Sequence, residues 1–83
     1  MAKVIVYSKP SCPYCVRAEQ LLQHKGVAFE KVRVDLDAEA LKFMMEKSGR
    51  RTVPQIFIND EPIGGFDDLY ALDKSGKLDG LLT

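Results

Sequence analysis

The sequence predicts an α/β fold, a four-stranded mixed sheet with helices on both faces, and three observations carry that prediction. Segments of strand and helix character alternate along most of the chain. The first apolar run, Val4-Ile5-Val6-Tyr7, is continuous and mostly β-branched, the pattern of a strand buried on both faces. The last two strand-like runs are separated only by Asn59-Asp60, a connection so short that those strands must be antiparallel. The 83 residues are enough for one small domain with a modest core, spanning 1–83.

After Val4 to Tyr7, Ser8-Lys9-Pro10-Ser11 reads as a loop. Pro13 lacks an N–H and has its φ preset near the helical value, so it suits a first helical position. A helix is expected from Pro13 to about Lys25, with Cys15, Ala18 and Leu22 on its inner face and Gly26 just past its end. From Phe29 to Val34, Lys31 and Arg33 alternate with Val32 and Val34, as in a half-buried strand near a sheet edge. A helical connection makes it parallel to the first strand. Asp37 is a suitable N-cap for a second helix that presents Ala38, Leu41 and Met45 and stops at Gly49. Gln55 to Ile58 and Glu61 to Ile63 form the hairpin, and Pro62, which cannot donate to a ladder, places the latter strand at an edge. Gly64-Gly65 leads into a helix from Phe66 that keeps Asp67 and Asp68 in its first turn and ends at Gly76. Leu78, Leu81 and Leu82 then form a short helix that caps the core.

Twelve basic and twelve acidic residues cancel, so no overall field recruits nucleic acid or an anionic membrane. The opening Met1-Ala2-Lys3 runs directly into an apolar segment too short for a signal sequence or a membrane span, which points to the cytoplasm. In a reducing compartment, two cysteines close in sequence are read as catalytic or metal-binding before they are read as a permanent staple.

Both cysteines lie in Cys12-Pro13-Tyr14-Cys15. Three residues apart on a helix, their Cα atoms would stand roughly 5–6 Å apart, within reach of a reversible disulfide. Cys12 would sit at the helix N-terminus, where unpaired N–H groups of Tyr14 and Cys15 favour an anion, while Cys15 lies inside the first turn. Such settings, with Lys9 adding positive charge upstream, lower a thiol from about 8.5 to roughly 3.5–7.5. Cys12 is therefore the expected exposed nucleophile and Cys15 the buried partner. Half of a zinc site would need two more ligands. The sequence has no other cysteine, and its one histidine, His24, lies about 13 Å further along the same helix and roughly opposite Cys15. No metal is expected. Tyr14 reads as a partly exposed wall of the thiol site, Met44 and Met45 as helix packing.

Three motifs in order, Cys12-Pro13-Tyr14-Cys15, Thr52-Val53-Pro54 and Gly64-Gly65-Phe66-Asp67-Asp68, make the chain resemble the glutaredoxins, specifically the small dithiol members of bacteria. The resemblance implies a thioredoxin-like fold with sheet order 4-3-1-2. It implies a glutathione-disulfide oxidoreductase acting on protein disulfides and glutathione mixed disulfides, with Cys12 as nucleophile, Cys15 as resolving thiol and glutathione as co-substrate. It also implies a cis peptide before Pro54, so that Val53 presents its backbone to the cysteinyl part of glutathione, with Thr52 beside it. Lys9, with Arg51 or Gln55, would meet the glycyl carboxylate, Arg17 and Arg50 being the other basic candidates. Gly65, Phe66, Asp67 and Asp68 would hold the γ-glutamyl end, and Tyr14, at the thiol site, is counted among the glutathione contacts. The implied partners are glutathione and glutathionylated or disulfide-containing proteins, and the expected state is a monomer.

Two other readings stay open. One is an electron donor reduced by thioredoxin reductase, against which the Gly64 to Asp68 stretch counts. The other is a carrier of a glutathione-ligated [2Fe–2S] cluster between two subunits, against which the rigid Pro13 beside Cys12 counts.

Overall fold

The computed structural model describes residues 2–82; Met1 and Thr83 lie outside the described residues. The elements run β1 (Val4–Ser8), α1 (Pro13–His24), β2 (Glu30–Arg33), α2 (Ala38–Ser48), β3 (Gln55–Ile58), β4 (Glu61–Gly64), α3 (Phe66–Lys74) and α4 (Lys77–Leu82). The four strands form one sheet in the order β2-β1-β3-β4, the expected 4-3-1-2 read from the other edge. β1 is parallel to β2 and antiparallel to β3, and β3 is antiparallel to β4. Pro62 lies on β4, an edge strand, as a residue without an N–H must. At the hairpin, Asn59 and Asp60 take φ of 52° and 68°, the left-handed pair that a tight turn between twisted strands requires.

β1 separates two apolar clusters because its side chains alternate across the sheet. Val4 and Val6 join Ile56, Ile58, Ala18, Leu22, Leu69 and Leu78 under α1, α3 and α4. Tyr7 joins Phe57, Val34 and Met44 under α2. Helices thus cover both faces, and a two-sided core explains why β1 and β3 are buried along nearly their whole length and apolar except at Ser8 and Gln55.

The helix boundaries follow their caps. Asp37 accepts from the Ala40 N–H at 3.0 Å at the start of α2, and Gly49 closes it in the left-handed conformation at φ 72°. Gly26 and Gly76 do the same just beyond α1 and α3. Two expectations need correction. The fully buried residue of α2 is Met44, with Leu41 and Met45 only half-buried on either side, because the helix meets the sheet about a quarter-turn away from the stripe through Ala38. β2 is also shorter than the alternating pattern, since Phe29 and Val34 lie beyond its ladder even though both pack against the core.

Candidate active site

The loop after β1 delivers the cysteines. Cys12 is the N-cap of α1, in extended conformation, and Pro13 follows as the first helical residue. Its Sγ accepts the Cys15 N–H at 3.2 Å, so the capping position that Ser or Asp usually fills is taken here by sulfur. Cys12 and Cys15 form a disulfide with Cα atoms 5.2 Å apart. The two sulfurs are unequally placed: Cys15 is 2% exposed, Cys12 half-buried. Of the two N–H groups expected to face Cys12, the structure directs that of Cys15 at the sulfur.

A second loop, between α2 and β3, packs against this pair. Its Val53–Pro54 peptide is cis. The Val53 carbonyl oxygen stands 3.8 Å from Cys12 Sγ, a contact in the disulfide and a hydrogen-bond acceptor once that sulfur carries a proton. The loop is held from below. Gln55, fully buried at the start of β3, donates its Nε2 to the Thr52 carbonyl at 2.9 Å and to Thr52 Oγ1 at 3.3 Å. Gln55 therefore cannot be the polar contact for a ligand carboxylate weighed alongside Arg51. Its amide nitrogen is engaged inside the protein, shaping the loop that a ligand would meet.

The third loop joins β4 to α3. Gly64 is buried with φ at 123°, and a Cβ there would fall 2.3 Å from Asp68 Oδ2. Gly65, the N-cap of α3, has no side chain with which to cap the helix, and the helix is capped from the other direction: Asp68 Oδ2 accepts the Gly65 N–H at 3.0 Å. The same oxygen receives Arg50 Nη1 at 2.8 Å. The Arg50 guanidinium, and after it the Gly65 N–H, hold the Asp68 carboxyl below the usual carboxylate range. A carboxyl depressed by folding stabilises the native state above its unfolded value of about 3.9, and this contribution is lost as pH falls through the lower folded value. Because the pair is about half exposed, the effect is modest. Asp68→Asn is expected to cost about 1 kcal/mol at neutral pH. In urea titrations at stepped pH, the gap between wild type and variant should hold steady above pH ~5 and close below pH ~3; a gap that widens on acidification would contradict the pairing.

These loops shape two cavities. Tyr14, 53% exposed, with Thr52, Pro54, Gly65, Phe66, Asp67 and Asp68, walls the first. Lys9 and Arg51 line the second, together with Val34, Asp35, Leu41 and Met45. Val53 belongs to both. The structure thus divides the sequence-predicted residues into a zwitterionic half and a cationic half that meet at Val53, beside Cys12. Arg50, weighed as a partner for a carboxylate at the Lys9 end, lies instead in the first cavity with Asp68. The sequence carried no signal for that, since the pair joins residues on different elements. Sequence reasoning also missed an aromatic row beside the site. Tyr14 packs on Phe66 and Phe66 stacks on Tyr70, with ring centroids 6.1 and 5.7 Å apart.

A disulfide that bridges a helix N-cap to a buried thiol, faced by a cis-proline loop, is a redox site, and comparison with known proteins gives its family. Residues 4–63 match the Glutaredoxin family model. The chain belongs to the glutaredoxin family. It is 55% identical over 82 residues to Glutaredoxin 3 of Escherichia coli K12, covering 99% of both chains. The solution structure of a glutaredoxin from Brucella melitensis is similar at a TM-score of 0.86 and 51% identity, over 99% of this chain and 89% of that one. A buckwheat glutaredoxin, crystallised as a glutathione complex, is similar at a TM-score of 0.88 and 30% identity, over 98% and 76%. The fold is accordingly thioredoxin-like, and the chain is a glutaredoxin-type thiol-disulfide oxidoreductase whose redox-active pair is Cys12 and Cys15. Among the described residues, no group of three or more His, Cys, Asp and Glu is placed to hold a metal ion, and no helix is long and apolar enough to cross a membrane.

Proposed function

We propose that this glutaredoxin reduces protein disulfides and glutathione mixed disulfides at the expense of glutathione. The supporting observation is that Cys12 Sγ stands beside Val53, the residue shared by a zwitterionic cavity and a cationic one. Glutathione has the matching layout: an ammonium and a carboxylate at its γ-glutamyl end, a thiol in the middle and a carboxylate at its glycyl end. Asp68 and Arg50 offer charges complementary to the first end, with the α3 N-terminus beside them. Lys9 and Arg51 offer positive charge to the second. Gly65, Phe66 and Asp67 wall the γ-glutamyl side with Tyr14, and Thr52, Val53 and Pro54 face the cysteinyl part.

Cys12 is the nucleophile in this reading, its thiolate stabilised by the Cys15 N–H and the start of α1. With a mixed disulfide, Cys12 bonds to the glutathione sulfur, the old S–S bond breaks, and the protein thiolate leaves and takes a proton from water. A second glutathione thiolate then attacks the adduct, giving glutathione disulfide and free Cys12. With a protein disulfide, Cys12 attacks one sulfur and Cys15 then displaces it, leaving Cys12–Cys15 oxidised and the substrate with two thiols. Two glutathiones restore the pair. The stabilised thiolate serves both as attacking group and as leaving group. The partners are glutathione and disulfide-bearing or glutathionylated proteins, the setting is the reducing cytoplasm, and the acting form is the monomer.

The test is reduction of a small glutathione mixed disulfide by the purified chain, with either glutathione or thioredoxin reductase as electron source. Turnover that saturates with the mixed disulfide and depends on glutathione is expected. Turnover driven by the reductase alone would overturn glutathione dependence.

A further inference from the structure

The second cavity is larger in chemistry than the glycyl end of glutathione requires. Its cations are not tied up in short contacts: among the described residues neither Lys9 nor Arg51 makes a hydrogen bond or ion pair. Asp35, the one anion lining it, is held chiefly by Arg33 through Nε at 2.9 Å and Nη2 at 2.5 Å; Lys9 adds a weaker, longer-range attraction but no short ion pair. The rest of the lining is apolar. Leu41 and Met45, one turn apart on α2 and half-buried, line it together with half-buried Val53 and buried Val34, all packed on one apolar cluster. A glycine whose carboxylate met Lys9 and Arg51 would present no side chain to that wall, leaving its apolar surface wetted.

Building on the glutathione reading above, we propose that the cleft is a subsite for an apolar side chain at the third position of the thiol tripeptide, so that γ-glutamylcysteinyl peptides ending in an aliphatic residue are substrates at least as good as glutathione. The carboxylate supplies the anchor and the side chain covers Leu41 and Met45. The cleft shares Val53 with the first cavity, and the Val53 carbonyl stands 3.8 Å from Cys12 Sγ. Each methylene removed from water there is worth about fourfold in affinity. Chemistry at sulfur is unchanged: Cys12 bonds to the tripeptide sulfur, the tripeptide–peptide S–S bond breaks, and the peptide thiolate leaves and is protonated by water.

The test uses four mixed disulfides of one fluorescent cysteinyl peptide, joined to γ-Glu-Cys-Gly, γ-Glu-Cys-Leu, γ-Glu-Cys-Asp or the C-terminal amide of γ-Glu-Cys-Leu. Release of the peptide is followed in single turnover with excess reduced wild-type protein. The leucyl substrate should react with a second-order rate constant at or above that of the glycyl one, by up to about tenfold. The aspartyl and amide forms should fall below the leucyl, the first for lack of apolar contact, the second for lack of charge. A leucyl rate below the glycyl rate overturns the subsite, as do equal rates for the leucyl and aspartyl forms, which would mean the third side chain points into solvent. Failure of every tripeptide form, the glycyl one included, would instead count against the glutathione reading itself. In Met45→Asp, the leucyl-to-glycyl rate ratio should drop below one; a ratio equal to that of wild type would show that this wall is not what the side chain meets.

Discussion

Cys12→Ser is expected to abolish reduction of both glutathione mixed disulfides and protein disulfides, by about three orders of magnitude or more, because a hydroxyl at the α1 N-cap is not ionised at neutral pH and forms no S–S bond. Cys15→Ser is expected to behave differently. Cys15 is 2% exposed and cannot meet a protein substrate before Cys12 does. Its work is internal: with Cα atoms 5.2 Å apart it can displace whatever is bound to Cys12 without backbone movement. Without it, the proposed cycle still lets glutathione release Cys12 from a glutathione adduct, so that reaction should stay within about threefold of wild type, while dithiol reduction of a protein disulfide should fall by about a hundredfold or more. The two substitutions, each assayed with a mixed disulfide and with a two-cysteine protein substrate, give a four-way pattern. Equal losses in all four arms would show that the cysteines act as a unit and that the exposure difference has no mechanistic weight.

That asymmetry was legible in the sequence because it is local. Pro13 fixes where α1 begins, so Cys12 falls at its N-cap and Cys15 in its first turn, and short-range rules suffice. The hairpin at Asn59-Asp60 and the caps at Asp37 and Gly49 were legible for the same reason. What the sequence did not disclose depends on tertiary geometry. The rotation of α2 that buries Met44 rather than Met45 is set by how the helix lies on Tyr7 and Phe57, and a run with Leu41, Phe43, Met44 and Met45 all apolar permits several phases. Gln55 enters as a ligand contact only through the family resemblance, and nothing local in the sequence marks it as buried. It is buried because β3 lies inside the sheet and the Thr52 backbone above it needs a donor. Arg50 and Arg51 are adjacent in sequence and line different cavities, Arg50 with Asp68 in the first and Arg51 with Lys9 in the second, a division that only the tertiary placement of the loop sets.

Gly64→Ala should have the largest effect of any one-carbon change near the site, and through two separate causes. At φ 123° an L-residue is strained whatever space it has, at a cost of about 1–3 kcal/mol. The new methyl would also lie 2.3 Å from Asp68 Oδ2, 2.7 Å from its Cγ and 2.9 Å from its Cβ. The nearest contact is to the carboxylate, but the Cβ is fixed to α3 and cannot swing aside, so either the whole Asp68 side chain moves or the helix does. Moving the carboxylate breaks its hydrogen bond to Gly65 N–H and its pair with Arg50 together, because one oxygen makes both. Loss of the helix cap adds about 0.5–2 kcal/mol. A total of about 1.5–5 kcal/mol is expected in urea unfolding, with a fall in melting temperature on the order of 8–25 °C. The site should suffer in a distinguishable way. Cys12, Cys15 and Val53 lie on other segments of the chain, so in the proposed reaction the maximal rate per folded molecule should change little, while the KM for a glutathione mixed disulfide rises about tenfold or more as the γ-glutamyl end loses its ammonium partner. A comparable rise in KM should appear in Asp68→Ala, where the glycine and its backbone are untouched, and the double substitution should add little to it, because both changes remove the same contact. Fully additive effects on KM would mean that Gly64 acts through the backbone alone and that Asp68 is not the group through which the β4–α3 turn reaches the ligand.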